Sequence, residues 1–283
     1  MSARGTQRFS RRIAGAVFLA ACWAATGGAL VALTAILWTL LSQGVGGLNL
    51  ETFTRSTPAP GSDGGLLNAI LGSIMMCAVA MAGAVVVGVL AGTWLAEYAR
   101  ESRYGKAVRF LNDVLLSAPS ILIGLFIYEI MVAPLKGFSG YAGAAALALI
   151  AAPVITRTTE DVLRLQPTAL REASVALGAP VWRTILQVVW KSARGGMLTG
   201  ALLAFARISG ETAPLLFTAL NNQFLSLDLG KPTANLPVVI FNFALSAYDD
   251  WRRLAWAGAL LIAATVLAVT IAARLLARES RPT

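Results

Sequence analysis

The chain has 283 residues, of which 57% are hydrophobic and 13% are charged, and its formal net charge at pH 7 is +9. A soluble domain usually carries about twice that charged fraction, so the composition excludes a soluble globular class and indicates a membrane protein. Histidine is absent, which removes the commonest general base and metal ligand, and no metal or other cofactor is expected. Cys22 and Cys77 lie in apolar runs without metal-type spacing.

Six apolar runs are candidates for crossing a bilayer, which takes about 20 apolar residues. The first is too long to be the apolar core of a signal peptide, so we interpret it as a retained spanning helix. The third contains Pro119, for which a helix kink is favoured over a ligand role. The predicted fold is therefore all-α, a polytopic bundle of about six spanning helices. In chain order the runs lie between Ile13 and Leu41, Asp63 and Glu97, Asp113 and Glu129, Lys136 and Arg157, beyond Arg194, and between Arg253 and Arg274.

Basic residues are distributed unevenly between the predicted loops. With the N-terminus in the cytoplasm, 17 Lys and Arg residues lie in inner segments and 5 in outer ones, while Arg207 lies inside a run. The positive-inside rule then predicts that both termini are cytoplasmic. The same distribution accounts for the positive net charge without a nucleic-acid partner, and membrane lipid is the expected surrounding.

The long inner loop, residues 157–194, contains signals for one short helix. Pro167 can open a helix and Thr168 can cap it, whereas Gly178 suits the position after a helix end and Pro180 prevents continuation. These signals predict a helix from Thr168 to Leu177.

Leu170, Ala173 and Leu177 share one face of this predicted helix, and Arg171 lies to one side of it. A short helix with small and apolar residues suits insertion into the groove of a partner protein. The alternative is an interfacial helix that lies on the lipid headgroups, and the pattern alone leaves both interpretations open.

Glu172-Ala173-Ser174, followed after three residues by Gly178, resembles the EAA loop of ABC importer permeases. The resemblance implies a coupling helix that docks on an ATPase subunit, with contacts from Leu170, Arg171, Glu172, Ala173, Ser174, Leu177 and Gly178. The match departs from the family pattern after the helix, where Val188 replaces isoleucine and Trp190-Lys191 replaces Leu-Pro.

Three further segments resemble the permeases of phosphate importers. They are Ala206-Arg207-Ile208-Ser209-Gly210-Glu211-Thr212-Ala213-Pro214-Leu215-Leu216, Ser117-Ala118-Pro119-Ser120-Ile121 with Gly124-Leu125-Phe126, and Arg157-Thr158-Thr159-Glu160. The resemblance implies the type I ABC importer permease fold and phosphate as substrate. The Ala-Arg-x-x-Gly-Glu core is shared with sulfate and molybdate permeases, so another oxyanion is the alternative.

Ionisable residues inside a spanning helix are costly and point to function. Arg207 lies 13 residues beyond Arg194, about 20 Å along a helix, and Arg157 is expected near the cytoplasmic end of the fourth run. Guanidinium groups match two phosphate oxygens at once, so Arg157, Arg207 and Glu211 are the candidate pathway residues. The alternatives are a structural i, i+4 pair of Arg207 with Glu211 and positive-inside bias for Arg157.

The chain has no GxxxxGK[ST] phosphate-binding loop, so it is not expected to be an enzyme, and ATP would be hydrolysed on a partner. Six helices would form half of a pathway. The expected partners are therefore a homologous second permease, ATPase subunits and an external phosphate-binding protein, in a bacterial inner membrane. A self-contained secondary transporter is the rival interpretation.

The predicted organisation has three parts. Residues 1–65 comprise the N-terminal tail, the first spanning helix and an outer loop. Residues 66–276 form the core permease domain with the cytoplasmic coupling loop, and residues 277–283 form a cytoplasmic tail.

Overall fold

The computed structural model describes the backbone of residues 3–279 and the side chains of residues 14–275, and the secondary structure in this part of the chain is helical, without strands. A helix satisfies its backbone hydrogen bonds internally, which an apolar environment requires. Two π-helical segments, Tyr128–Val132 and Ile185–Val189, interrupt the α-helices. The helices are α1 (Ala3–Gly46), α2 (Leu50–Thr54), α3 (Leu67–Glu97), α4 (Arg103–Ser117), α5 (Ser120–Ile127), α6 (Ala133–Leu135), α7 (Gly140–Arg164), α8 (Thr168–Ala176), α9 (Val181–Thr184), α10 (Trp190–Ser209), α11 (Ala213–Thr218), α12 (Leu236–Ala244) and α13 (Asp249–Glu279).

The predicted all-α, multi-span class is confirmed, but the number of spans differs from six. Four of the described helices are long and apolar enough to cross a membrane, namely α1, α3, α7 and α13, and a bent pair makes up to five. The predicted fifth run forms α10, which does not belong to this set. Lys191, Arg194 and Arg207 all lie on that helix and reduce its hydropathy.

Pro119 breaks the third predicted span instead of kinking it. Helix α4 and the helical stretch Ser120–Leu135 meet at 104°. Proline lacks a backbone N–H and disfavours helical geometry in the residue before it, and Ala118 accordingly adopts an extended conformation. The two halves of this run therefore point in nearly perpendicular directions.

Helices α3 and α7 pack closely along a line of glycines and form the centre of the fold. A Cβ atom added to Gly88 would lie 2.7 Å from Ile155 Cβ, and one added to Gly92 would lie 2.6 Å from the carbonyl oxygen of Thr156. The surrounding core consists of small and branched apolar residues, among them Ala84 and Ile155. Small residues permit this approach of the two backbones, as is common where helices pack in membranes.

Helix α1 projects from this body. The described part of its span, Ala14–Gly46, is exposed over most of its length. Its last turns contact α13, where a Cβ atom on Gly44 would lie 2.8 Å from Leu260 Cβ. The predicted first span is therefore a helix whose apolar side chains remain accessible to lipid or to another protein.

A polar network organises the predicted outer segments. Asn68 accepts a hydrogen bond from the backbone N–H of Thr57 and donates to the carbonyl of Asn222 at 2.8 Å. Fully buried Asn235 accepts from the N–H of Val238 and thereby caps α12. These bonds join the loop before α3 to the segment between α11 and α12.

Candidate functional site

Helix α8 lies where the sequence predicted a short helix, spanning Thr168–Ala176 instead of extending to Leu177. Gly178 follows it with φ +80°, the left-handed conformation expected just past a helix end. The predicted capping role of Thr168 is wrong. Pro167 occupies the N-cap position and no side chain caps the first turn, because Thr168 is already inside the helix.

Most of α8 faces away from the rest of the chain. Leu170, Ala173 and Leu177, which the sequence placed on one face, are exposed, and Leu177 is 88% exposed. Glu172 is also exposed. Exposed apolar side chains at helical spacing form a surface that fits the groove of another protein.

Ser174 points inward instead of toward that surface. Its hydroxyl lies 2.8 Å from the hydroxyl of Thr184 on α9, and both side chains are buried. A buried hydroxyl that keeps a hydrogen-bond partner avoids a desolvation penalty. This pair therefore holds α8 against α9.

Arg171 is the second inward-facing residue of α8. Its Nε and one terminal nitrogen donate to the two carboxylate oxygens of Glu97 at 3.0 and 2.6 Å. The guanidinium also donates to the carbonyls of Gln166 at 2.9 Å and Leu163 at 2.8 Å. One side chain on α8 therefore joins the last residue of α3 to the end of α7.

Glu160 on α7 is the most buried acidic side chain among the described ion pairs, with 3% exposure. It accepts from Arg109 Nε at 2.7 Å and pairs with Arg164 at 2.8 Å. Arg109 also donates to the carbonyls of Leu95 and Ala99 at the end of α3. The sequence analysis listed Glu160 only as part of a motif and did not predict this network. Arg109 lies on α4, far away in the sequence, and Arg164 lies one turn after Glu160 on α7.

Arg157 does not lie at a helix end, since α7 continues to Arg164. Its guanidinium pairs with Asp161 at 3.2 Å and Asp113 at 3.7 Å, and its side chain is about half-exposed. The candidate pathway residue therefore already has two carboxylate partners, on α7 and α4.

Arg207 and Glu211 do not share a helix, which removes the basis of the alternative interpretation as an i, i+4 pair. Helix α10 ends at Ser209, Gly210 follows, and α11 starts at Ala213, so Glu211 lies in the break. Within the described part of the chain no carboxylate lies within 4.0 Å of the Arg207 guanidinium. Discontinuous helices are a recurrent way to build substrate sites in transporters.

Arg207 lies on the exposed face of α10. The adjoining face buries Ala204 and Ile208, whereas Thr199 and Leu203 are exposed at one-turn intervals before Arg207. A cation on an apolar helix surface requires a counter-charge, water or an anion. The described residues offer Arg207 no carboxylate, so its compensation comes from water, an anion or a group outside the described part of the chain.

A cavity of about 400 Å³ lies on another side of α10, between α3 and α13. Phe205 and Ser209 line it, together with apolar residues such as Met81 and Leu261, and Arg207 does not. A desolvated anion needs charged or N–H donors, so this apolar cavity is unsuited to an oxyanion. The pathway candidates of the sequence analysis belong to a different surface.

The sequence matches the family described as "Binding-protein-dependent transport system inner membrane component" over residues 84–282. The chain belongs to this family.

Curated relatives cover the chain more fully. A "Phosphate transport system permease protein PstA" of Pasteurella multocida is 58% identical over 240 residues, which make up 85% of this chain and 86% of the relative. The protein of the same name from Yersinia pestis is 52% identical over 242 residues, or 85% of this chain and 82% of the relative. "Phosphate transport system permease protein PstA 1" of Mycobacterium tuberculosis is 33% identical over 255 residues, or 88% of this chain and 83% of the relative.

The fold also resembles that of a chain from a solved ABC transporter. A structure described as an inward-facing conformation of the MetNI methionine ABC transporter superposes with a TM-score of 0.65 at 19% identity, covering 77% of this chain and 96% of that chain. The likeness supports the ABC importer permease fold that the sequence motifs implied.

Replacement of Glu160 by glutamine is expected to destabilise the fold by about 1–3 kcal/mol, because the largely shielded Arg109 loses its charged hydrogen-bond partner. The measurement is unfolding of the purified chain in detergent, followed by tryptophan fluorescence. Asp161→Asn is the matched control, because the neighbouring carboxylate is exposed and such pairs contribute roughly 0–1 kcal/mol. Equal stability of the two variants would contradict the assigned role of Glu160.

Proposed function

We propose that this chain is the permease subunit of an ATP-driven phosphate importer and forms half of its translocation pathway. The observation that carries the proposal is the 58% identity with a phosphate transport system permease over 85% of the chain. The segment Thr212-Ala213-Pro214, which follows the Gly210-Glu211 break, supports phosphate over sulfate or molybdate. Competition between these oxyanions for uptake tests that preference. The family's binding-protein dependence argues against a self-contained secondary transporter.

Arg207 is the proposed contact for the passing anion. It lies on an exposed helix face without a carboxylate partner within the described residues, and a guanidinium can donate to two phosphate oxygens at once. Glu211, displaced into the helix break, adds negative charge near the path. Such a charge prevents the anion from binding so tightly that it cannot leave.

Arg157 is less suited than Arg207 to contact phosphate. Two carboxylates already lie against its guanidinium, so an anion would have to compete with them. We propose that Arg157 lies beside the path and offsets part of the negative charge of Asp113 and Asp161, because the three side chains together carry a net negative charge.

The exposed face of α10 supports a pathway made by two permeases. Leu203 and Arg207 lie one turn apart on it, and Leu203 is 58% exposed. A surface with exposed Leu203 beside one cation fits a second, homologous subunit that encloses the pathway from the other side. An external phosphate-binding protein would deliver the substrate to this pair.

Helix α8 is the proposed docking element for the ATPase subunits, with Leu170, Glu172, Ala173 and Leu177 as its contacts. Seven of its nine residues are exposed, and only Arg171 and Ser174 turn inward. Those two residues, both expected to touch the ATPase, instead orient the helix, and Gly178 ends it. Membrane insertion is set by the apolar helices, so changes on α8 should affect docking alone.

We propose that both termini and α8 face the cytoplasm of a bacterial inner membrane, on the basis of the 17-to-5 distribution of basic residues. In a variant without Cys22 and Cys77, a cysteine at Ala176 is expected to resist a membrane-impermeant maleimide in intact cells. One at Asp228 is expected to react. External labelling at position 176 would overturn this orientation.

Leu177→Asp is expected to abolish copurification of the ATPase with the tagged chain, because it places a charge on the apolar face that docks. Glu172→Lys should weaken copurification by reversing a charge at the same surface. Phe224→Asp is the control, because Phe224 is similarly exposed at 79% but lies in the predicted outer segment. Undiminished ATPase recovery with Leu177→Asp would disprove docking through α8.

Arg207→Gln is expected to lower ATP-dependent phosphate uptake roughly 10- to 150-fold, the factor for losing a charge-assisted hydrogen bond of about 1.5–3 kcal/mol. Arg207→Lys should retain part of the uptake, since the charge remains but the bidentate fork is lost. ATPase copurification should stay normal, because α8 is unchanged.

The double variant Arg207→Gln with Glu211→Gln separates transport from a purely structural pairing. If Arg207 contacts phosphate, the neutral double variant stays impaired, because no cation replaces the water around the anion. Full phosphate uptake by this variant would make Arg207 a structural residue.

A further inference from the structure

The side chain of Arg171 connects three helices at one point. Glu97 is the last residue of α3, Leu163 lies in the last turn of α7, and Arg171 itself lies on α8. The guanidinium forms a two-pronged bond with Glu97 at 2.6 and 3.0 Å and donates to the Leu163 carbonyl at 2.8 Å. Such bidentate, charge-assisted bonds are the strong and geometrically restrictive ones.

Both partners are shielded from solvent. The side chains of Arg171 and Glu97 are 17% and 9% exposed, whereas the exposed Glu51–Arg55 pair on α2 has values of 44% and 52%. Screening by water and salt weakens exposed pairs far more than buried ones. The Arg171 contact is therefore a rigid connection.

Helix α8 has few other connections to the body. Its outer residues are exposed, and its other inward contacts are the hydrogen bond between Ser174 and Thr184 on α9 and packing against the π-helical segment Ile185–Val189. Non-helical segments flank it at residues 165–167 and 177–180, and the second contains Gly178 in a left-handed conformation. Without Arg171, α8 would be connected to α3 and to the end of α7 through these short segments and through its packing on Ile185–Val189.

We propose that the Arg171–Glu97 pair is a positioning pair that transmits movement between α8 and the α3–α7 core. The proposal rests on the proposed docking of an ATPase at α8. When the ATPase displaces α8, the ion pair makes α3 and α7 move with it as one body. Without the pair, α8 follows the ATPase while the core lags, so ATP is hydrolysed without a matching transport step.

The test uses the complete importer, reconstituted in vesicles, and measures phosphate transported per ATP hydrolysed. Arg171→Ala is expected to keep ATPase copurification and lower this ratio about tenfold, a typical size for coupling between two sites. Arg171→Lys should lower it less, because a lysine keeps the charge but loses the fork. Glu97→Gln should lower it as well, although Arg171 keeps its bonds to the α7 carbonyls. Arg55→Ala removes an exposed ion pair of the same chemistry and should leave the ratio unchanged.

Three outcomes would overturn the proposal. An unchanged ratio in Arg171→Ala and Glu97→Gln overturns it, and so does an equal fall of transport and hydrolysis. Loss of ATPase copurification in both variants also overturns it, because the pair would then be needed for assembly and not for transmission. If the unmodified complex shows no ATP-dependent phosphate uptake, the proposed function itself fails, which is a separate result.

Discussion

The rest of the structure depends on the close approach of α3 and α7. Glycine at positions 88 and 92 lets the two backbones meet, since a Cβ at either position would lie under 3.0 Å from the neighbouring helix. In an apolar environment helices gain little from hydrophobic burial and associate mainly through packing and polar contacts. A glycine seam supplies that packing, and it also brings the ends of the two helices side by side.

The adjacent ends of α3 and α7 carry carbonyl groups that need hydrogen-bond donors, and two arginines supply these donors. The last carbonyls of a helix lack intrahelical partners and carry partial negative charge. Arg109 donates to carbonyls at the end of α3, and Arg171 donates to carbonyls at the end of α7. Each arginine also pairs with a carboxylate, Glu160 and Glu97 respectively. The same contacts that complete the core therefore fix the direction in which α8 presents its exposed face.

The arginine of the proposed pathway and the arginine that holds the docking helix lie in opposite surroundings. On α10, Arg207 is exposed without a carboxylate partner in the described residues, which leaves its charge available to an anion. On α8, Arg171 is largely shielded from solvent and donates four hydrogen bonds, which makes it suitable for holding a helix in place. The same residue type can thus bind a ligand or position a helix, and the surroundings decide between these roles.

The sequence by itself determined the helical class, most spans and the short helix α8. Apolar run length and the Pro167–Gly178 signals are local properties, and a helix satisfies its backbone locally. It could not reveal that α10 ends before Glu211, that Pro119 turns the chain by 104°, or that Arg171 and Ser174 face inward. The inward position of Arg171 depends on Glu97, 74 positions away in the sequence, and that of Ser174 depends on Thr184, 10 positions away. Only tertiary packing decides these contacts, because the partner of a shielded charge comes from a neighbouring helix and not from the adjacent residues.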